Sequence, residues 1–140
     1  MASSRVETQV LWATASSKSI SSASNATSDA HTFNAEDWDV ALQVNADNDG
    51  TAATGDTVDV YVLWTTGDVL TGGGSDYDTV EHAHKLGRLN TYAAETPGED
   101  PACRTWFVPS AALGFKLHCV NNSAGRAITV KARVSAHRPQ

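Results

Sequence analysis

The sequence predicts an all-β fold: a single-domain antiparallel β-sandwich, jelly-roll or Greek-key-like, of about nine short strands. Three observations predict it. Apolar and polar residues alternate with period two along several runs. Clusters of turn formers separate those runs, and no long helix is available to cover a sheet. Two sheets packed face to face, or one sheet closed on itself, are then the ways to bury the apolar faces. At 140 residues the chain has room for one such unit. Its 41% hydrophobic and 19% charged content leaves much of the chain to Ser, Thr, Asn and Gly, which favours strands and turns.

Residues 1–36 are rich in Ser, Thr, Ala and Asn, with weak strand candidates at 5–14, 17–22 and 30–34. They read as an N-terminal arm or edge strands packed on the domain. Residues 37–135 read as the sandwich core. Within it, Trp38, Val40, Leu42 and Val44 share one face of an alternating run while Asp39 and Gln43 take the other. The run 58–64 alternates too, but Tyr61 and Leu63 make its second face apolar, which predicts a central strand. Residues 78–92 suggest two strands, 104–108 and 114–121 one each, and 109–114 a short helical turn. The run 127–134 is the cleanest, with Ile128, Val130, Ala132 and Val134 inward. The Asn-rich turn at 121–125 joins two clean strands and reads as a hairpin. Residues 136–140 read as a tail.

Composition excludes several functions. The longest apolar run, Val60–Trp64, has five residues, whereas a membrane span needs about 20. Met1–Arg5 is not followed by the apolar segment of a secretory signal, so none is expected. A net charge of −6 argues against nucleic acid as a partner. The charge is uneven: residues 1–70 hold two basic side chains against ten acidic, and residues 71–140 hold eight against six. Such asymmetry can orient a protein on a charged partner.

Candidate chemistry is sparse. From Asn45, oxygen-bearing side chains fall at Asn45, Asp47, Asp49 and Asp56, with Gly50 at the sixth position, which follows calcium-loop spacing. The flanks read as strands and Asp56 is shorter than the usual Glu, which favours a solvated acidic hairpin loop. His82 and His84 would share one face of a strand, but no third ligand is assigned. Cys103 and Cys119 form no metal knuckle and read as small buried free thiols, or as one disulfide if their strands pair. The catalytic motifs of hydrolases, metalloproteases and nucleotide enzymes are missing, and the pairs Glu36–Asp37 and Glu99–Asp100 lie in loops. The expectation is a protein that is not an enzyme and needs no cofactor, calcium being the one candidate ion. Trp12, Trp38, Trp64 and Trp106 read as core residues with the indole N–H bonded to loop carbonyls. A sugar platform of exposed aromatics, joined by Tyr61, Tyr77 and Tyr92, is the other reading.

The run 113–134, a strand ending in an Asn-rich turn before the Ile128-Thr129-Val130 strand, resembles the closing hairpin of small tailed-phage virion proteins. With Asp56–Trp64 the chain resembles a capsid decoration, or cement, protein. That resemblance implies a structural virion protein, made in the host cytoplasm, that binds the outer surface of a phage head and stabilises the capsid. The implied partner is the major capsid protein, and the implied state a homo-oligomer, with no nucleic acid and no membrane. Arg5, Lys131, Arg133 and Arg138 would be the cationic contacts. A carbohydrate-binding or adhesion β-sandwich, in a tail fibre or secreted, is the alternative.

Overall fold

A computed structural model describes residues 2–50, 52–67, 76–91, 102–108 and 112–139. Along it run β1 (Ser3–Gln9), β2 (Lys18–Ile20), β3 (Asn25–Thr27), β4 (His31–Thr32), β5 (Trp38–Asn48), β6 (Thr57–Thr65), β7 (His84–Asn90), β8 (Ala102–Phe107), β9 (Gly114–Asn121) and β10 (Ile128–Pro139). A 3₁₀ turn spans Val80–His82, and among the described residues no helix is long and apolar enough to cross a membrane.

The strands form two antiparallel five-stranded sheets. The first has the order β1-β10-β5-β8, with β2 paired to the start of β10. The second has the order β3-β9-β6-β7, with β4 paired to the start of β9. If β1 with β2, and β3 with β4, count as interrupted single strands, the first strand pairs with the last, the second with the seventh, the third with the sixth and the fourth with the fifth. A long antiparallel ribbon folded and rolled in this way is a jelly roll. As its alternation predicts, β6 is central, flanked by β9 and β7.

The inward faces follow the sequence pattern. Val40, Leu42, Val44 and Ala46 of β5 join Ile128, Val130, Ala132, Val134 and Ala136 of β10, Val58, Val60 and Val62 of β6, and Phe115, Leu117 and Cys119 of β9 in one core. Each fully buried large apolar side chain contributes about 1.5–3 kcal/mol, so this core dominates stability.

Several expectations are corrected. The first 36 residues do supply edge strands, β1 and β3 ending the two sheets, but Val10, Trp12, Ile20, Ala26 and Phe33 lie in the same core, so this segment is part of the sandwich and not an arm laid on it. Each short strand there offers at most one apolar side chain, too little for a periodic signal. At the other end, β10 continues to Pro139, and Ala136 is buried opposite Val6, where the sequence reads as a tail. Residues 78–92 give one strand and a 3₁₀ turn; Leu86, the extra residue of a bulge opposite Val60 and Tyr61, packs on the core three positions from buried Leu89. The turns at 121–125 and 49–56 close no hairpins, because β9 and β5 each lead into a strand of the opposite sheet. The expected turn at 109–114 lies mostly outside the described residues, and Gly114 opens β9.

Local hydrogen bonds build these corners. Buried Asn121 donates through Nδ2 to Ile20 O (2.9 Å) and Arg126 O (2.8 Å), and its Oδ1 accepts from Ser123 N (2.8 Å). One amide thereby ties β2 to the β9–β10 corner. The tight turn at Ala13 and Thr14 holds both residues at positive φ (47° and 72°), and the Asp29 carboxylate accepts both of their N–H groups at 3.1 and 3.0 Å.

Candidate contact face

The outward face of the first sheet is set by strand register. Odd residues of β10 point out, and they place Arg5, Glu7 and Gln9 of β1 on one side and Ala41, Gln43 and Asn45 of β5 on the other. Beyond β5, Phe107, Thr105 and Cys103 of β8 stand opposite Ala41, Gln43 and Asn45. Arg5 donates to Glu7 at 2.6 Å, Arg133 reaches the other Glu7 oxygen at 3.3 Å, and Gln43 Nε2 donates to Thr105 at 3.3 Å. Two shallow hollows lie between these side chains. One, of about 300 Å³, is lined by Gln9, Ser16, Gln43, Asn45, Lys131, Ala132 and Arg133. The other, of about 180 Å³, is lined by Arg5, Glu7, Ala41, Gln43, Thr105, Arg133 and Ser135.

A bulge decides the character of one end. Ser135 pairs with Ala41 but His137 with Trp38, so β5 carries one residue more than β10 across this interval. Asp39 absorbs the extra residue at φ 54°, a left-handed conformation that Asp tolerates better than most side chains. Trp38 thereby leaves the inward set and stands on the outer face, 48% exposed, its ring 4.9 Å from that of His137. Phe107, 81% exposed, projects from the same face one strand away. Sequence reasoning missed both: alternation placed Trp38 inward, and nothing in residues 104–108 marked which aromatic points out.

The four cations read from the sequence divide. Arg5, Lys131 and Arg133 share the outer face. Arg138 faces the other way and donates through Nε to Asp37 at 2.7 Å; that guanidinium holds the Asp37 carboxyl below the usual carboxylate range. The four candidate calcium ligands are not brought together. Asn45 and Asp47 lie on the outward face of β5, and Asp49 accepts from Thr129 (3.0 Å) and Ser19 (3.2 Å). Asp56 is buried, accepting from Asn48 Nδ2 (3.0 Å) and Ala53 N (2.9 Å), while Asn48 also reaches Thr91. Hydrogen bonds thus organise this loop. Among the described residues no three His, Cys, Asp or Glu side chains gather as a metal site requires.

Other candidates are placed as follows. His82 sits in the 3₁₀ turn beside Thr79 (3.0 Å) and His84 opens β7, so the pair shares no strand. Cys103 is exposed on the first sheet and Cys119 is buried in the second, where burial pushes its thiol up to about 12. Both are free. Trp12 is core, and Trp64 and Trp106 pack against it; among the described residues Trp12 Nε1 and Trp106 Nε1 have no hydrogen-bond partner, where loop carbonyls were expected. Glu99 and Asp100, like Tyr92, lie outside the described residues.

On the second sheet's outer face the described polar side chains bond one another. Asp59 takes two bonds from Arg88 (2.7 and 3.0 Å), one from Asn122 (3.2 Å), and lies 3.2 Å from Lys85. Buried His118 meets Thr27 at 2.8 Å, and burial lowers its pKa from the ordinary value.

No protein-family model matches this chain, and no curated protein matches its sequence. Solved structures share the fold. Latent PorU from Porphyromonas gingivalis superposes over 97% of this chain with a TM-score of 0.50 and 10% identity. A structure of infectious bursal disease virus, Gx strain, gives the same three values. This chain spans 13% of the PorU chain and 32% of the viral chain. A xylanase 10B fragment of Clostridium thermocellum, with CBM22-1 and GH10 modules, aligns at 14% identity and a TM-score of 0.44 over 86% of this chain and 20% of that one. At these identities the likeness concerns the sandwich alone.

Proposed function

We propose that this chain is a structural virion protein that binds the outer surface of a phage head, through the face built on β1, β10, β5 and β8, and stabilises the capsid by protein–protein contacts. The partner is the major capsid protein, and the work is done without catalysis or a cofactor. One observation carries the reading: Trp38 and Phe107 stand exposed at the same end of one sheet face, beside a polar and charged surround of Arg5, Glu7, Gln43, Thr105 and Arg133. Protein interfaces have that anatomy, with aromatic anchors inside a polar rim. The resemblance of residues 113–134 to phage virion proteins supports the choice of partner, and a jelly roll is a compatible frame.

The test is co-sedimentation with expanded heads that lack the protein. The wild type should pellet with heads, and the W38A/F107S variant should bind at least tenfold more weakly with an unchanged melting curve. Wild type left in the supernatant, or a double variant that binds as well, overturns the proposal.

One observation favours a second reading. Gln9, Gln43, Asn45 and Thr105 offer amide and hydroxyl groups along the hollows of the face that also carries the Trp38 ring, a combination suited to a glycan. Titration with glycans would then shift tryptophan fluorescence in the wild type and not in W38A.

A further inference from the structure

The first sheet ends at β1, and among the described residues β10 is the one strand that pairs with it. Val10 N donates to Ala132 O at 2.9 Å, and peptide groups alternate in direction along an antiparallel strand. The register from Ser3 to Gln9 is unbroken. Ser4, Val6 and Thr8 therefore turn their N–H and C=O groups toward β10, while Ser3, Arg5, Glu7 and Gln9 turn theirs to the open edge. The edge is seven residues long, mostly exposed, without proline or bulge, and such an edge is a template for another strand.

We propose that the strand it accepts is β1 of a second copy of this chain, antiparallel about a two-fold axis at Val6. Matching outward peptide groups, and keeping each side chain on its own face of the sheet, requires odd residues to stand opposite odd residues. Centring the pair on Arg5 or on Glu7 sets like charges directly opposite, which is unfavourable. Centring it on Val6 sets Arg5 opposite Glu7 of the second copy and Glu7 opposite its Arg5. Ser4 then meets Thr8, Ser3 meets Gln9, and Val6 meets itself. The four odd–odd pairs exchange about eight main-chain hydrogen bonds. Charges on an edge commonly discourage pairing; here their signs mirror about Val6, so they select one register of self-pairing and oppose its neighbours. Such an interface is isologous and closes at two copies. It continues β8-β5-β10-β1 into its mate, so both pairs of Trp38 and Phe107 project from one sheet. The dimer stands whether that face meets a capsid or a glycan.

Sedimentation equilibrium over a micromolar concentration series tests it. The wild type should move from 14.8 kDa toward twice that mass, while R5E and E7R each stay monomeric with melting curves near wild type. An equimolar mixture of the two should regain the dimer, because the carboxylates of the R5E edge then face the guanidinium groups of the E7R edge. As an independent readout, V6C in a C103S background should form a disulfide-linked dimer on oxidation. Directly opposed residues of a non-hydrogen-bonded pair have Cα atoms about 4.5 Å apart, within disulfide reach. A wild type that stays at 14.8 kDa, a mixture as monomeric as its components, or a dimer that V6C cannot cross-link, each overturns the proposal.

Discussion

Replacing Asp59 should lower stability at neutral pH and leave it almost unchanged in strong acid. The Asp59 side chain is 8% exposed and is bonded by Arg88 and Asn122, with Lys85 alongside. Arg88, more than any other group, holds its carboxyl at about 2 instead of 3.8, against the opposing effect of burial. A carboxyl depressed in the native state lets the unfolded chain take up the proton first as pH falls. Its contribution is therefore complete above the unfolded value near 3.8 and drains away as pH falls toward 2. At about 1.36 kcal/mol per tenfold change in acid constant, the full displacement corresponds to roughly 2.4 kcal/mol. Arg88 and Lys85 are 51% and 45% exposed, so water screens the attraction, and about 1–2 kcal/mol is the expected difference. Urea unfolding of wild type and D59N, near neutrality and near pH 2, measures it directly, because every other carboxyl titrates alike in both proteins. The gap should shrink to roughly half a kcal/mol or less in acid. An equal gap at both pH values, or none at neutrality, refutes the reasoning.

Three further predictions concern single positions. Asn121→Ala strips two carbonyls and the Ser123 N–H of their buried partner and should cost about 3 kcal/mol or more by urea unfolding, since each lost bond of this kind costs about 1–3. Native protein should titrate one thiol with an aromatic disulfide reagent, exposed Cys103, and the second, buried Cys119, only in denaturant. Asp39→Gly removes the strain of φ 54° and should stabilise by about 0.5–1 kcal/mol, whereas Asp39→Val should destabilise by about 1–2 kcal/mol, both by thermal melts, with acrylamide quenching reporting whether Trp38 stays exposed.

The fold was legible where strands are long and one-sided. In β5 the inward positions from Val40 to Ala46, and in β10 those from Ile128 to Ala136, are all apolar, and period-two alternation has no helical alternative there. The short strands were only faintly legible: β2 and β4 fall within the weak candidates 17–22 and 30–34, while β3 was missed, because β3 buries Ala26 and β2 buries Ile20 and each is fixed by its partner strand instead of by its own pattern. The corners misled for a related reason. A turn between two strands has the same residues whether the strands pair or part to opposite sheets, and only Asn121, bonded simultaneously to Ile20 and Arg126, shows that the chain turns away. Three of the four cations predicted for contact share a face because their spacing survives translation into register; Arg138 fails because it is an even residue of β10, on the face opposite Lys131 and Arg133, where Asp37 holds it.

The exposed aromatics and the charges on the candidate face have separable work. Arg5 and Arg133 both bond Glu7, so their heads are held in place while remaining 67% and 55% exposed, and an exposed pair of this kind is worth little on its own. Such charges act on a partner chiefly through orientation and rate of encounter, effects that weaken with salt. Trp38 and Phe107 are different: each presents apolar ring surface to water, and covering it releases free energy that does not depend on salt. The bulge at Asp39 is what turns Trp38 out of the inward set, so one strained residue converts a core position into an exposed one. It follows that truncating the rings should raise the dissociation rate, and reversing Arg133 should lower the association rate and its salt dependence. That split would assign the affinity of the face to its rings and its direction of approach to its charges.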